Sequence, residues 1–259
     1  MKIISWNVNG IRAVERKKEI HKLLNNFSPD ILLLQEIKAK AEQLSNFLTK
    51  NENFFQYYHS AIKPGYSGTG IWVKKNLLNN FDISTSMPNF DDTEGRIMQL
   101  DFEIKNKKFV ILNIYFPNGG KSKESWNGKL IFYKNFLHYI NQLRKQKKEV
   151  IWAGDVNCAH QEIDLARPNE NKNSIGFLPE ERACIDQVLE HNWIDIFRKK
   201  FPKKIIYSWW DMITRARERN VGWRIDYFFC DQEFYSKIKK IDYLNSQFGS
   251  DHCPVFLEI

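Results

Sequence analysis

Six short runs of branched and aromatic residues constrain this chain more than any other feature of it. They are Ile3-Ile4-Ser5-Trp6, Ile31-Leu32-Leu33-Leu34, Phe109 to Tyr115, Val150-Ile151-Trp152-Ala153, Tyr227-Phe228-Phe229-Cys230 and Val255-Phe256-Leu257. Several are apolar without alternation, which predicts strands covered on both faces. Helix spacing appears between them, at Ile20, Leu23, Leu24 and Phe27, at Leu130, Tyr133, Leu137 and Ile140, and at Ile185, Val188, Leu189 and Trp193. Residues 96 to 103 alternate, with Ile97, Gln99, Asp101 and Glu103 opposite Met98, Leu100 and Phe102. That run leads through Lys105-Asn106-Lys107 into the next strand, a hairpin signal. Strands joined partly by helices and partly by hairpins predict mixed sheets in a layered α/β domain. No proline-rich linker or low-complexity stretch divides the chain, so one domain over residues 1–259 is expected.

A chain of 259 residues with 42% hydrophobic residues has ample length for a full core, which excludes disorder as the main state. Its longest apolar runs fall far short of the roughly 20 residues that cross a bilayer, so no membrane partner is expected. Residues 1–9 read as a strand and a polar turn rather than a leader peptide. Cys158, Cys184, Cys230 and Cys253 lie far apart without a CxxC pair, which fits buried thiols in the cytoplasm. The charge of +8 is also what a lysine-rich solvated face would give. Its distribution tilts the reading toward nucleic acid. Basic residues cluster at 144–148, 198–204 and 215–219, the last set lying between Trp209-Trp210 and Trp223.

Polar residues fall where the apolar runs end. Asn7 and Asn9 follow the first run, Glu36 the second, Asn118 the third, and Asp155 with Asn157 the fourth. Loops leaving the carboxyl ends of strands converge on ligand sites in α/β sheets. Asn and Asp after a strand are more often turn or cap residues, but a Glu after four aliphatics calls for a partner or a cation. Asp226 interrupts an otherwise apolar strand, and Asp251-His252 precedes the last one. An aspartate suits a histidine partner, whose tautomer and charge it fixes; the plainer alternative is an aspartate on backbone amides and a surface histidine. No GxSxG, Walker loop or GxGxxG occurs, and Gly65-Tyr66-Ser67-Gly68-Thr69-Gly70 matches none of them and reads as a flexible loop. Hard oxygen ligands without a cysteine cluster point to Mg²⁺ or Mn²⁺, the equipment of phosphoester hydrolysis.

Eight segments then coincide with a known family: Ser5-Trp6-Asn7-Val8-Asn9-Gly10, Leu34-Gln35-Glu36, Gly65-Tyr66-Ser67-Gly68, Glu94-Gly95-Arg96, Tyr115-Phe116-Pro117-Asn118, Gly154-Asp155-Val156-Asn157, Gly222 to Tyr227 and Gly249 to Pro254. In order, and across essentially the whole chain, they resemble the motifs of the exonuclease III family of apurinic/apyrimidinic (AP) endonucleases. The resemblance implies a four-layer α/β sandwich of two mixed sheets flanked by helices. It implies a Mg²⁺-dependent nuclease that cuts duplex DNA on the 5′ side of abasic sites and processes blocked 3′ ends, working as a monomer. Glu36 would be the main metal ligand, with Asn7, Asp251, Asp155 and Asn157 in or near the metal shell. Asp155 would activate water, Asn157 would place it, and His252, oriented by Asp226, would stabilise the phosphate. Tyr115 and Asn118 would donate to phosphate oxygens. Trp209, Trp223 and Ile225 would wall the abasic pocket, with Arg12, Tyr66, Arg96, Lys121, Arg215, Arg217 and Arg224 toward DNA. Two departures stand out: Asn9 where several relatives carry Asp, and Trp209 where many carry Phe. The rival readings are an inositol-phosphate or sphingolipid phosphatase or phosphodiesterase of the same fold, and a DNA-binding module without catalysis.

Overall fold

The computed structural model describes residues 1–88 and 90–259. Among them are twelve strands: β1 (Lys2–Asn7), β2 (Ile31–Gln35), β3 (Phe54–His59), β4 (Thr69–Lys74), β5 (Phe81–Ser84), β6 (Ile97–Ile104), β7 (Lys107–Tyr115), β8 (Glu149–Asp155), β9 (Trp193–Asp195), β10 (Asp226–Asp231), β11 (Lys240–Tyr243) and β12 (Val255–Glu258). They form two six-stranded sheets, ordered β11-β12-β1-β2-β4-β3 and β5-β6-β7-β8-β10-β9. In each sheet one central pair is parallel, β1 with β2 and β7 with β8, and every other pair is antiparallel. The two sheets pack face to face, and helices cover their outer faces. On the first lie α1 (Ile11–Arg16), α2 (Glu19–Phe27) and α3 (Asn46–Thr49); on the second lie α4 (Lys123–Lys145) and α5 (Pro179–Glu190). The short helices α6 (Ile196–Lys200) and α7 (Gln232–Tyr235) add Ile196, Phe197 and Phe234 to the core between the sheets.

The non-alternating runs follow from this layering. Ile31 and Leu33 point between the sheets while Leu32 and Leu34 pack under the helices, so successive side chains enter different cores and both must be apolar. The same division separates Ile151 from Val150 and Trp152 in β8. At roughly 25 cal/mol per Å² of apolar surface removed from water, this double burial is the main stabilising term.

Three details differ from the pattern read along the chain. The third helix stops at Glu190, and Trp193 opens β9 instead, still buried at 1% exposure. The hairpin turn is only Lys105-Asn106, both with positive φ, because a two-residue turn of that hand matches the twist of its strands. Thr69 and Gly70 belong to β4 rather than to the loop before it.

Two buried amides tie the sheets together. Gln35 donates through Nε2 to Asn113 Oδ1 at 2.6 Å, and Asn113 donates through Nδ2 to the carbonyls of Leu34 at 2.9 Å and Gly70 at 2.8 Å. Both side chains are fully buried. Replacing Asn113→Leu keeps the branched shape but removes the donor to the Leu34 and Gly70 carbonyls and the acceptor for Gln35 Nε2. We expect a loss of about 3 kcal/mol in urea unfolding, with a change below about 0.5 kcal/mol refuting the tie.

Candidate active site

The parallel pairs end at one edge of the sandwich, and the antiparallel strands beside them begin there. Asn7 is level with Gln35, Tyr115 with Asp155, and Asp155 in turn with Asp226. Within two residues of the ends of β1, β2 and β8 the chain turns sharply: Asn9, Glu36 and Asn157 hold φ of 44°, 51° and 54°, a left-handed backbone that non-glycine residues seldom adopt. These turns bring the side chains to the shared edge, Asn9 against Asp251 and Lys38, Glu36 against Asn7 and Lys38, and Asn157 against Phe116 and Asn118.

Asn7 stands at its centre, fully buried, donating through Nδ2 to Glu36 Oε1 and to Asp155 Oδ2, each at 2.9 Å. One amide therefore joins carboxylates carried by different sheets. Ligand atoms of Glu36, Asp155 and His252 lie within 4.8 Å of one another. On the far side, His252 Nδ1 is 2.8 Å from Asp226 Oδ2, and its Nε2 is 3.9 Å from Asp155 Oδ2. Asp226 is the first residue of β10 rather than an interruption within it, and its backbone N–H donates to Ser208 Oγ.

Electrostatics gives the three groups different states. Burial works against charge on His252, but Asp226, with Asp155 and Asp251, outweighs it and lifts the pKa to about 10, so the ring is an imidazolium at neutral pH. Burial and then the charges of Asp226 and Glu36 push Asp155 up to about 7 against the pull of His252. Glu36 is also penalised by burial, yet the Lys38 ammonium at 2.7 Å and the Asn7 amide hold its pKa below the ordinary value. Burial, then Glu36 and Asp155, raise Tyr115 well above its usual value, leaving its hydroxyl a donor.

Glu36, Tyr66, Tyr115, Asn118, Lys121, Asn157, Asp251 and His252 all line one cavity of about 360 Å³ together with Trp209, Trp223 and Ile225. Trp209 and Trp223 meet edge to face with ring centroids 6.3 Å apart. Asp251 stands at the rim and is engaged elsewhere, accepting from Asn9 Nδ2 at 2.9 Å and Trp209 Nε1 at 3.0 Å. Asn157 donates to the Phe116 carbonyl and accepts from Asn118 Nδ2 at 3.3 Å. Arg96 is buried at 2% exposure; it donates to Glu94, Tyr66 and the Tyr115 carbonyl, and so supports the loops rather than standing free. Lys121 lies 4.3 Å from the centre of the Tyr66 ring. Arg12 and Arg215 are exposed.

Two arginines do not face outward. Arg224 is fully buried: Nε is 2.7 Å from Asp164 and Nη2 is 2.7 Å from Asp195, because the chain turns inward after Trp223 and only paired carboxylates can hold a guanidinium there. Arg217 is half-buried on the faces of Trp210 and Phe248 and donates to the carbonyls of Asn245, Gln247 and Ser250. The basic cluster at 144–148 lies at the opposite end of the sheet, where β8 begins, and Arg198 pairs inward with Asp164. Reading the strand ends alone passed over Lys38, Gly176 and Lys129. Lys129 is a lysine on the apolar stripe of α4, three and four residues before Phe132 and Tyr133, and that position is its sequence signal.

The chain matches the endonuclease/exonuclease/phosphatase family over residues 4–252. It is 39% identical over 261 residues to an exodeoxyribonuclease of Bacillus subtilis, covering 100% of this chain and 99% of that one. It is 34% identical to the DNA repair nuclease APEX1 of Danio rerio, covering 99% of this chain and 81% of that one. An AP endonuclease from Leishmania major superposes with a TM-score of 0.90 at 26% identity, covering 99% of this chain and 86% of that one. The chain belongs to the endonuclease/exonuclease/phosphatase family. Its likeness within that family is to exodeoxyribonucleases and AP endonucleases.

Asp164 offers a direct check on the inward arginines. Burial would raise its pKa, but Arg224 and Arg198 depress it from 3.8 to about 2. A depressed carboxylate contributes stability above its unfolded value that is lost as pH falls through the folded one, here about 2 kcal/mol. Asp164→Asn should cost on the order of 3–5 kcal/mol in urea at pH 7. Its gap to the parent should narrow only between about pH 4 and pH 2; a gap independent of pH would disprove the pairing.

Proposed function

We propose that the protein is a divalent-metal-dependent DNA-repair nuclease that hydrolyses the phosphodiester 5′ to an abasic site in duplex DNA, leaving a 3′-hydroxyl and a 5′-deoxyribose phosphate. We extend the same chemistry to 3′ ends, as exonuclease and end-cleaning activity. The observation that carries this reading is the meeting of a carboxylate pair and an imidazolium at a cavity walled by Trp209, Trp223 and Ile225. A flipped nucleotide without its base suits so small an apolar wall, and extruding it costs less than extruding an intact nucleotide.

Mg²⁺, for which Mn²⁺ can substitute, fits the hard oxygens of Glu36 and Asp155, with Asn7 against both and Asp251 and Asn157 at the rim. When bound it supplies charge neutralisation and polarisation of a phosphoryl oxygen. Asp155, with its pKa near neutrality, takes the proton from the attacking water. Asn157, held by Phe116 and Asn118, orients that water and a phosphate oxygen. His252, kept cationic and oriented by Asp226, donates through Nε2 to a phosphoryl oxygen as negative charge develops there. Tyr115, protonated, donates toward the leaving 3′-oxygen. Asn118 and Tyr66 with Lys121 meet phosphates, and Arg12 and Arg215 extend that contact along the duplex. The exposed Met212 and Ile213, three and four residues after Trp209 and 62% and 93% accessible, provide an apolar tip against the gap left in the base stack. We take the protein to work as one domain and as a monomer, in the cytoplasm. Four free cysteines support a reducing compartment, and among the described residues no helix is long and apolar enough to cross a membrane.

A duplex carrying one tetrahydrofuran abasic analogue should be nicked 5′ to the lesion with Mg²⁺ and left whole with EDTA. No incision, or hydrolysis of an inositol phosphate instead, would overturn the assignment. Asp226→Asn removes the largest influence holding His252 charged. Turnover should fall about 10²–10⁴-fold, and the alkaline limb of the pH–rate profile should move from near pH 10 toward neutrality. An unmoved limb would show that His252 does not act as a cation.

A further inference from the structure

Beneath the floor of the cavity lies an ion pair that takes no part in the chemistry above. Lys129 of α4 and Glu181 of α5 are both 0% exposed and hydrogen-bonded to each other. An ammonium has three donors, and here each goes to a different segment. Nζ donates to the Asn118 carbonyl at 3.1 Å, to the Asn157 carbonyl at 2.8 Å and to Glu181 Oε1. The other oxygen, Glu181 Oε2, accepts from the backbone N–H of Gly176 at 2.7 Å and of Leu178 at 3.0 Å. Asn118, Asn157 and Gly176 are lining residues of the catalytic cavity. One buried pair therefore reaches three stretches of backbone: the loop after β7 and both ends of the long connection between β8 and α5.

Stability alone does not account for it. A well-packed apolar pair of the same volume commonly holds two helices together as well as a buried ion pair does. What the pair adds is a fixed distance between backbone groups of loops that no strand connects. We infer that Lys129 and Glu181 are positioning residues for the hydrolysis: they hold the Asn118 and Asn157 amides and the Gly176 wall in one mutual arrangement, so that phosphate is gripped while the flipped nucleotide is seated. Small displacements of such groups cost rate rather than binding, because they leave ground-state contacts in place and misalign the reacting ones.

The inference rests on the nuclease reading, and the test separates the two. The double variant Lys129→Met/Glu181→Gln removes both charges at nearly constant volume and keeps an acceptor for the Gly176 and Leu178 amides. Activity is expressed per folded molecule, with the folded fraction taken from circular dichroism. On the tetrahydrofuran duplex we expect kcat to fall about 10–100-fold, the range that lost support around a site commonly costs, with KM within about threefold. The ratio of abasic incision to digestion of a normal 3′ end should fall as well, because the Gly176 wall is released. Wild-type kcat and an unchanged ratio in a folded double variant would overturn the inference, as would a loss wholly accounted for by unfolded protein. Should the double variant not fold, Glu181→Gln alone is read by the same kcat, KM and ratio criteria. The wild-type protein runs alongside: if it cuts no abasic duplex, the functional reading fails, and the pair is then judged on whatever phosphodiester the wild type does cut.

Discussion

Two carboxylates from two different sheets, Glu36 and Asp155, share one amide, and the rest of the site is arranged around that contact. Brought together without a donor between them, the two anions would repel and force one to protonate. The Asn7 side chain offers each a hydrogen bond from the same nitrogen. Lys38 on one flank and the His252 imidazolium on the other alternate the sign of charge across the seam. The sheets are tied again a layer deeper by Gln35 and Asn113, so the relative height of the two strand ends is set by buried hydrogen bonds and not by apolar packing alone. Apolar contacts are non-directional and tolerate sliding, whereas buried amides do not.

This arrangement explains why the active groups sit where parallel strands stop. A parallel neighbour brings two chain ends out side by side, and the antiparallel strands that flank it start at the same level. Asp155 and Asp226 are register partners across β8 and β10, and His252 lies just before β12 of the other sheet. Chemistry then needs only short loops, and short loops on rigid strands hold their side chains closely.

Much of this was legible along the chain. Strands buried on both faces show as unbroken apolar runs, and a Glu after four aliphatics shows as an expense that some partner must offset. The layered sheets and the gathering of Glu36, Asp155, Asn157 and His252 at one edge correspond to such signals, whereas the two-sheet sandwich and the place of Tyr115 in the site were implied only by the family resemblance. What was not legible depends on which way a side chain turns. Arg224 and Arg217 read like Arg215 in the sequence, yet one enters the core to meet Asp164 and Asp195, and another lies flat on Trp210. Lys129 reads as one more lysine of a basic chain until its neighbours at three and four residues, Phe132 and Tyr133, are counted on the same helical face. The Trp193 position was ambiguous because a short helix and the strand that follows it can share one apolar period.

The left-handed backbone at Asn9, Glu36 and Asn157 has a consequence of its own. Each such residue costs about 1 kcal/mol or more relative to relaxed backbone, least for asparagine and most for the glutamate. A glycine would relieve the strain at any of the three while deleting the group that the turn exists to aim. Heat resistance and turnover therefore pull these same positions in opposite directions.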